Sequence, residues 1–218
     1  MPIMSKKGRC TSSTSSLLLG RLFNMPTNNK RDSITRAAHA QFRLYGYRKT
    51  SMEDIAGELG ISRASLYSYF KNKDEIFRSV SVSLHERALA NAKQCLLGRW
   101  SRENALSKIE QALLARHLPF HDEQFHSAHA GELQDEYSRL CGDVVTQSNT
   151  KFQQFLKEAL DTAVEAKLIR VQSTKLSTAE VAELLNLATA GLKRGADRPG
   201  LFEARVAHFL GVFVRGLS

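Results

Sequence analysis

Proline occurs only four times in the 218-residue chain, at Pro2, Pro26, Pro119 and Pro199. Its ring clashes with the preceding helical turn and it has no N–H to donate, so helices are expected between these positions and not across them. From residue 31 onward, apolar residues recur at three- and four-residue spacing with hardly any strict alternation. That pattern predicts helices rather than strands.

Ile34, Ala37, Ala38 and Phe42 mark a first helix ended by Gly46. Ser51, with Asp54 three residues on, caps a second, in which Ile55, Ala56 and Leu59 face inward before Gly60 stops it. Ser62 caps a third short helix running to about Phe70. A long stripe of Phe77, Val80, Leu84, Ala88 and Cys95 predicts a helix over 74–97. In the second part, Ala105, Ile109, Ala112 and Leu113 mark a helix expected to stop at His117-Leu118-Pro119. A run over 123–140 and a separate helix bearing Val144, Phe152, Phe155, Ala159 and Ala163 follow. Ser177 and Glu180 form a capping box for a helix with Val181, Leu184, Leu185, Ala188 and Leu192. After a loop at 193–200, Phe202, Val206, Phe209, Leu210 and Phe213 define the last one. The expected fold is all-α, with about nine helices and no sheet.

Charge divides the chain unevenly. Of a net +9, residues 1–78 carry 14 Lys and Arg against 6 Asp and Glu, or +8, while residues 79–218 carry 17 against 16. A strongly basic N-terminal third on a nearly neutral body is the footprint of a polyanion-binding module. Residues 1–29, basic and rich in Ser and Thr, have no lasting apolar period and are expected to be disordered. They form either an arm that adds DNA affinity or an over-long reading frame upstream of Met25. No apolar run approaches the length of a membrane span. Arg21 interrupts the stretch after Leu17-Leu18-Leu19, so no export signal is expected. Cys10, Cys95 and Cys141 are odd in number and far apart, which fits a reducing cytoplasm and no disulfide framework.

A helix, Gly60 and a second helix, preceded by a longer supporting helix, make a helix-turn-helix unit. The major groove of B-DNA, ~12 Å wide, admits one α-helix. In the segment Ser62-Arg63-Ala64-Ser65-Leu66-Tyr67-Ser68-Tyr69-Phe70, Leu66 and Phe70 can pack inward. Arg63, Ser65, Tyr67, Ser68 and Tyr69 are then left to face out. Arg63 suits a two-pronged guanine contact, the tyrosines suit phosphates and thymine methyls, and Lys71 and Lys73 suit phosphate clamping.

The run Phe42-x3-Gly46-Tyr47-x2-Thr50-Ser51-Met52-x-Asp54-Ile55-Ala56-x2-Leu59-Gly60-Ile61-Ser62-x2-Ser65-Leu66-Tyr67-x-Tyr69-Phe70-x2-Lys73 resembles the N-terminal domain of TetR-type bacterial transcriptional regulators. The resemblance covers about residues 30–78. It implies a three-helix DNA-binding domain, a larger ligand-binding and dimerisation domain over 79–218, and release of DNA when an effector binds. By position, Thr50 and Ser51 would touch phosphate. Ser62, Arg63, Ala64, Tyr67, Ser68 and Tyr69 would face the groove, and Lys73 would clamp the backbone. Ala64 stands where many relatives have glycine, so base preference does not carry over.

A paired unit on a palindromic operator gains affinity that one helix-turn-helix lacks. The last two helices are the candidate homodimer face, through Leu184, Leu185, Ala188, Phe202, Val206, Phe209 and Phe213. For a small-molecule effector, Trp100, Phe125, His126, His129, Tyr137 and Phe152 are candidate pocket residues. His117, His121, His126 and His129 lie within thirteen residues. That spacing could hold a metal ion, but histidines in a bend around Pro119 are more often caps or solvated groups. No cofactor is expected. A metal-dependent enzyme is disfavoured by the lack of GxSxG, HExxH or a Gly-rich phosphate loop. An architectural DNA protein would not need a body of about 140 residues.

Overall fold

The computed structural model describes residues 29–169 and 175–215, without the side chains of 122–126 and 214–215. Residues 1–28 of the tail expected to be disordered lie outside these residues, whereas Asn29 is ordered as the cap of α1. Among the described residues there are eight helices and no strand: α1 (Lys30–Tyr45), α2 (Met52–Glu58), α3 (Arg63–Tyr69), α4 (Lys73–Leu96), α5 (Ala105–His126), α6 (Ala130–Glu165), α7 (Thr178–Leu192) and α8 (Leu201–Arg215).

The first four helices begin where a side chain can take up an amide that lacks an intrahelical acceptor. Asn29 accepts from the Arg31 N–H at 3.1 Å, Ser62 from that of Ser65 at 3.1 Å, and Asn72 from that of Glu75 at 2.8 Å. Ser51 and Asp54 cap each other reciprocally, and the expected Ser177–Glu180 box opens α7 in the same way. Gly46, at φ +85°, ends α1, and Gly60, at φ +63°, makes the turn between α2 and α3. Both are left-handed conformations that favour glycine.

Two expectations about helix limits are corrected. Pro119 does not stop a helix; it lies inside α5, which continues to His126. The proline removes one backbone bond, but packing on both sides outweighs that loss: Ala112, Leu113, Arg116 and His117 before it and His121 after it are all buried. The separate helices expected over 123–140 and from Val144 are one 36-residue helix, α6, and the break falls instead at 127–129. The apolar signal fades between Cys141 and Phe152 because the buried residue between them is Ser148. Eight helices therefore replace the expected nine among the described residues.

Two hydrophobic clusters share helices. The first gathers Ile34, Ala38, Phe42, Ile55, Leu66, Phe70 and Phe77, and draws in Leu133 and Cys141 from α6. The second gathers Leu113 of α5, Phe152, Leu156 and Leu160 of α6, Val181 and Leu185 of α7, and Phe202 and Val206 of α8. α4 contributes Ile76 to Leu84 to the first cluster and Leu89 to Leu96 to the second. α6, about 54 Å long at 1.5 Å per residue, likewise serves both.

Polar contacts seal the joint between α6 and the N-terminal helices. The Arg48 N–H donates to Glu132 Oε1 at 2.6 Å, and Ser127 Oγ to the Arg43 carbonyl at 3.0 Å. Arg78 holds Asp143 through two bonds of 2.7 Å and also reaches the Leu140 carbonyl. Arg139 bridges Asp74, at 3.7 Å, and Glu136, at 2.7 Å.

Gly46 sits in this joint: a Cβ there would lie 2.6 Å from Glu132 Oε2 and 3.1 Å from His129 Nδ1. Gly46→Ala is expected to destabilise the protein by roughly 1–3 kcal/mol, combining left-handed strain with displacement of Glu132. Gly60→Ala is the control, since its φ is also positive but nothing lies within 4 Å of its added Cβ. Urea denaturation should show the larger loss for Gly46→Ala; equal losses would mean the Glu132 contact contributes nothing.

Candidate nucleic-acid interface

The third helix is held from behind and bare in front. Leu66 and Phe70 are fully buried in the first cluster, as their spacing predicts. Ser62, Arg63, Ala64, Tyr67, Ser68 and Tyr69 are exposed, and Ser65 is half-buried. Tyr67 and Tyr69 remain 41% and 37% exposed, large for tyrosines beside an available core. The Arg63 guanidinium pairs with Glu53 of α2 and donates to Tyr67 Oη at 3.3 Å, lying 5.4 Å from that ring. The Tyr67 hydrogen bond, with Glu53 behind it, raises the Arg63 pKa, so the guanidinium stays charged. Surface pairs of this kind are weak and exchangeable, so Arg63 is oriented without being locked.

Several supporting contacts have no local sequence signal. Arg31 of α1 donates to the Tyr69 carbonyl and to Glu75 Oε1 at 3.0 Å, with its guanidinium 3.9 Å from the Phe70 ring centre. It thus braces the C-terminal end of α3 from 38 residues away. Tyr47 is buried, stacks edge-on to Phe77 at 5.1 Å and donates to Asp74. Burial and that bond to a carboxylate raise its phenol pKa, so it remains a donor.

The expected phosphate contacts divide. Lys71 is exposed, while its backbone N–H donates to Glu75 Oε2 at 2.8 Å. Lys73 turns inward: Nζ donates to the carbonyls of Tyr47 at 2.7 Å and Thr50 at 2.8 Å and sits 4.3 Å from the Tyr47 ring. Its partial burial lowers its pKa, with Asp74 opposing. Thr50 is 2% exposed and donates to the Gly46 carbonyl at 2.7 Å. Ser51 is engaged with Asp54. As placed, Lys73 and Thr50 hold the turn between α1 and α2 together instead of projecting toward a phosphate. Carbonyls left bare by the turn have the first claim on their donors.

The candidate effector residues do not converge. Phe152 and Trp100 belong to the second cluster, whereas Tyr137 packs on Phe77 at 4.7 Å in the first. His129 lies at the Gly46 joint, 3.9 Å from Glu132, and the side chains of Phe125 and His126 are outside the described residues. His117 pairs with Asn186 at 3.0 Å and His121 with the Ala196 carbonyl at 2.8 Å. Among the described residues, no three His, Cys, Asp or Glu side chains gather as a metal site. The candidate dimer residues divide between core and surface. Leu185, Phe202 and Val206 are at most 2% exposed because they fill this chain's own core. Leu184 stays outside, as do Leu187 and Val212, which sequence spacing did not single out.

The architecture defines a class: a helix-turn-helix unit whose second helix turns a polar face outward, set on an all-helical body. Residues 34–80 match the family model described as "Bacterial regulatory proteins, tetR family". That likeness covers the helix-turn-helix unit and the helices flanking it. Over 68 residues the chain is 26% identical to the uncharacterized HTH-type transcriptional regulator YhgD of Bacillus subtilis, covering 31% of this chain and 36% of that protein. It is 38% identical over 56 residues to the HTH-type transcriptional regulator TtgR of Pseudomonas putida, covering 26% of this chain and 27% of that one. The matches thus span only about a quarter to a third of these relatives. A transcriptional regulator from Cytophaga hutchinsonii has a similar fold, with a TM-score of 0.71 at 19% identity over 86% of this chain and 98% of that chain. SmeT, the repressor of a Stenotrophomonas maltophilia multidrug efflux pump, aligns with a TM-score of 0.60 at 17% identity over 84% and 87%.

Because its ammonium bonds backbone carbonyls, Lys73→Met is expected to lower stability by about 2 kcal/mol, the scale of charged hydrogen bonds to otherwise unpaired groups. Unchanged denaturation, with a flatter salt dependence of DNA binding, would return Lys73 to a phosphate role. His85 is harder to protonate than a surface histidine: burial, then the charges of Arg116 and Lys193, lower its pKa from 6.5 to about 4. The unfolded chain therefore takes up this proton first, and stability falls as pH drops from about 6.5 toward 4. His85→Leu should remove up to about 3 kcal/mol of that acid loss in denaturation scans.

Proposed function

We propose that this protein is a dimeric, ligand-responsive transcriptional regulator in which residues 30–78 read double-stranded DNA and residues 79–218 bind an effector and pair two copies. The observation that carries the reading is the outward face of α3. Arg63, Tyr67, Ser68 and Tyr69 stand exposed on a short helix whose inward side is anchored by Leu66 and Phe70. One guanidinium for base edges, with hydroxyls for phosphates around it, is the composition of a major-groove reader.

Several further points support the whole-chain reading. The basic excess lies in the N-terminal third, as sequence-independent phosphate attraction requires. α7 and α8 expose Leu184, Leu187 and Val212 beside the half-buried Phe209 and Phe213, an apolar strip suited to a second copy. A symmetric pair would present two α3 helices to a palindromic operator. SmeT, which shares the fold, forms a complex with triclosan, and a small-molecule effector acting on the body is proposed here by analogy. In this reading the protein is a cytoplasmic repressor that leaves its operator when the effector binds.

Selection of binding sites from random duplexes should return a palindrome whose affinity falls steeply with salt. Arg63→Ala is expected to lose discrimination at one or two symmetric positions, by roughly tenfold to a hundredfold, while retaining salt-sensitive binding. A variant that keeps the wild-type sequence preference would show that α3 does not read bases through Arg63.

A further inference from the structure

Among the described residues, the body of the protein holds a buried arginine and a half-buried lysine with no carboxylate paired to either. Arg116 of α5 is 2% exposed. Its Nη2 donates to Asn149 Oδ1 of α6 at 2.9 Å, but its Nε has no partner. The guanidinium lies 5.3 Å from the Phe120 ring centre and 5.8 Å from that of Phe152. Lys193, just past the end of α7, brings its ammonium to 6.0 Å from the same Phe120 ring. His85 of α4 packs against the same Phe120 ring, tilted, at 4.5 Å between ring centres, is 7% exposed, and leaves Nδ1 unpaired. Ser148, one turn before Phe152 on α6, is 4% exposed with its hydroxyl unpaired. Groups from α4, α5 and the end of α7 thus meet at the Phe120 ring, α6 brings Asn149 and Phe152 to the Arg116 guanidinium, and among the described residues no carboxylate forms an ion pair with Arg116 or Lys193.

This arrangement is costly by itself. A buried guanidinium without a counter-charge loses its hydration, and a second cation nearby adds repulsion. Burial lowers the Arg116 pKa to about 10, and burial together with the Arg116 charge lowers that of Lys193 to about 8. A monoanion placed between them would reverse both penalties. The unpaired Nε and hydroxyl are donors, the Phe120 and Phe152 rings are apolar walls, and a planar carboxylate matches the guanidinium fork.

We propose that Arg116 and Lys193, with Ser148 and the rings of Phe120 and Phe152, form the receptor for a small organic carboxylate with an apolar body, the effector of this regulator. The inference deepens the ligand-responsive reading above and rests on it for the word effector; anion binding itself can be tested without DNA. Benzoate, phenylacetate and octanoate are each compared with their primary amides on the full chain, by calorimetry and thermal denaturation. At least one acid should raise the melting temperature in proportion to log concentration and bind at least tenfold more tightly than its amide. Lys193→Met and Arg116→Met should each weaken that acid tenfold or more while leaving amide binding unchanged. Without ligand, Arg116→Met should melt no lower than wild type, since it removes an unpaired buried charge.

Equal affinity for acids and amides, or no stabilisation by any acid, would overturn the receptor. So would a ligand-free loss of stability in Arg116→Met that Asp122→Asn or Glu123→Gln reproduces, because the counter-charge would then be supplied by the chain itself. Fluorescence anisotropy on the selected operator separates the two readings. An acid that binds but leaves operator affinity unchanged keeps the anion receptor and removes its regulatory role. Operator binding with no acid recognised at this site removes the receptor and leaves the DNA reader standing.

Discussion

Helix α6 passes through both hydrophobic clusters of the molecule, and the placement of every other element depends on that. Its first third contributes Leu133 and Cys141 to the core beneath the helix-turn-helix, and its second half contributes Phe152, Leu156 and Leu160 to the core of the body. A continuous helix is stiff over this length, because each backbone bond is tied to the next. α4 makes the same passage alongside it. The helix-turn-helix and the body are therefore joined by two shared rods rather than by a linker. The turn after α1 is closed against α6 by Glu132 on the Arg48 amide and by the absence of a side chain on Gly46.

The interface side of this frame is built from inward-facing charge. Arg31 and Lys73 are cations in the most basic part of the chain, yet both are committed to carbonyls and to ring faces within the small domain. Their work is to hold α3 and the turn before α2 in place, leaving Arg63, Lys71 and the two tyrosines as the groups that face outward. A basic third of a chain is thus a mixture of internal bracing and external surface, and composition does not separate the two.

In the body, polar groups are held in the opposite way. His117 and His121 are paired with Asn186 and with the Ala196 carbonyl, whereas Arg116, His85 and Ser148 retain unpaired atoms in a dry setting. Buried polar atoms in folded proteins are ordinarily satisfied, so a cluster of exceptions around two aromatic rings marks a place with an unmet partner. Its position between α4, α5 and α6 puts it on the rods that also carry the helix-turn-helix unit.

The all-helical class, the caps at Ser51, Ser62 and Ser177, the turn at Gly60, and the inward Leu66 and Phe70 were legible in the sequence. Each rests on interactions within one or two helical turns, where residue type and spacing suffice. What the tertiary structure alone decided involves partners far apart in the chain. Pro119 stays helical because both of its flanks are buried, and α6 runs unbroken because Ser148 carries its buried stripe between the two cores. Lys73 and Thr50 turn inward because the carbonyls of the Gly46–Thr50 turn lie within their reach. Leu185, Phe202 and Val206 go to the core, while Leu184 and Leu187, on the same apolar helix, go to the surface. A hydrophobic stripe states that a helix has a covered side; which neighbour covers it, and which charges are buried in doing so, follows only from the packing of all the helices together.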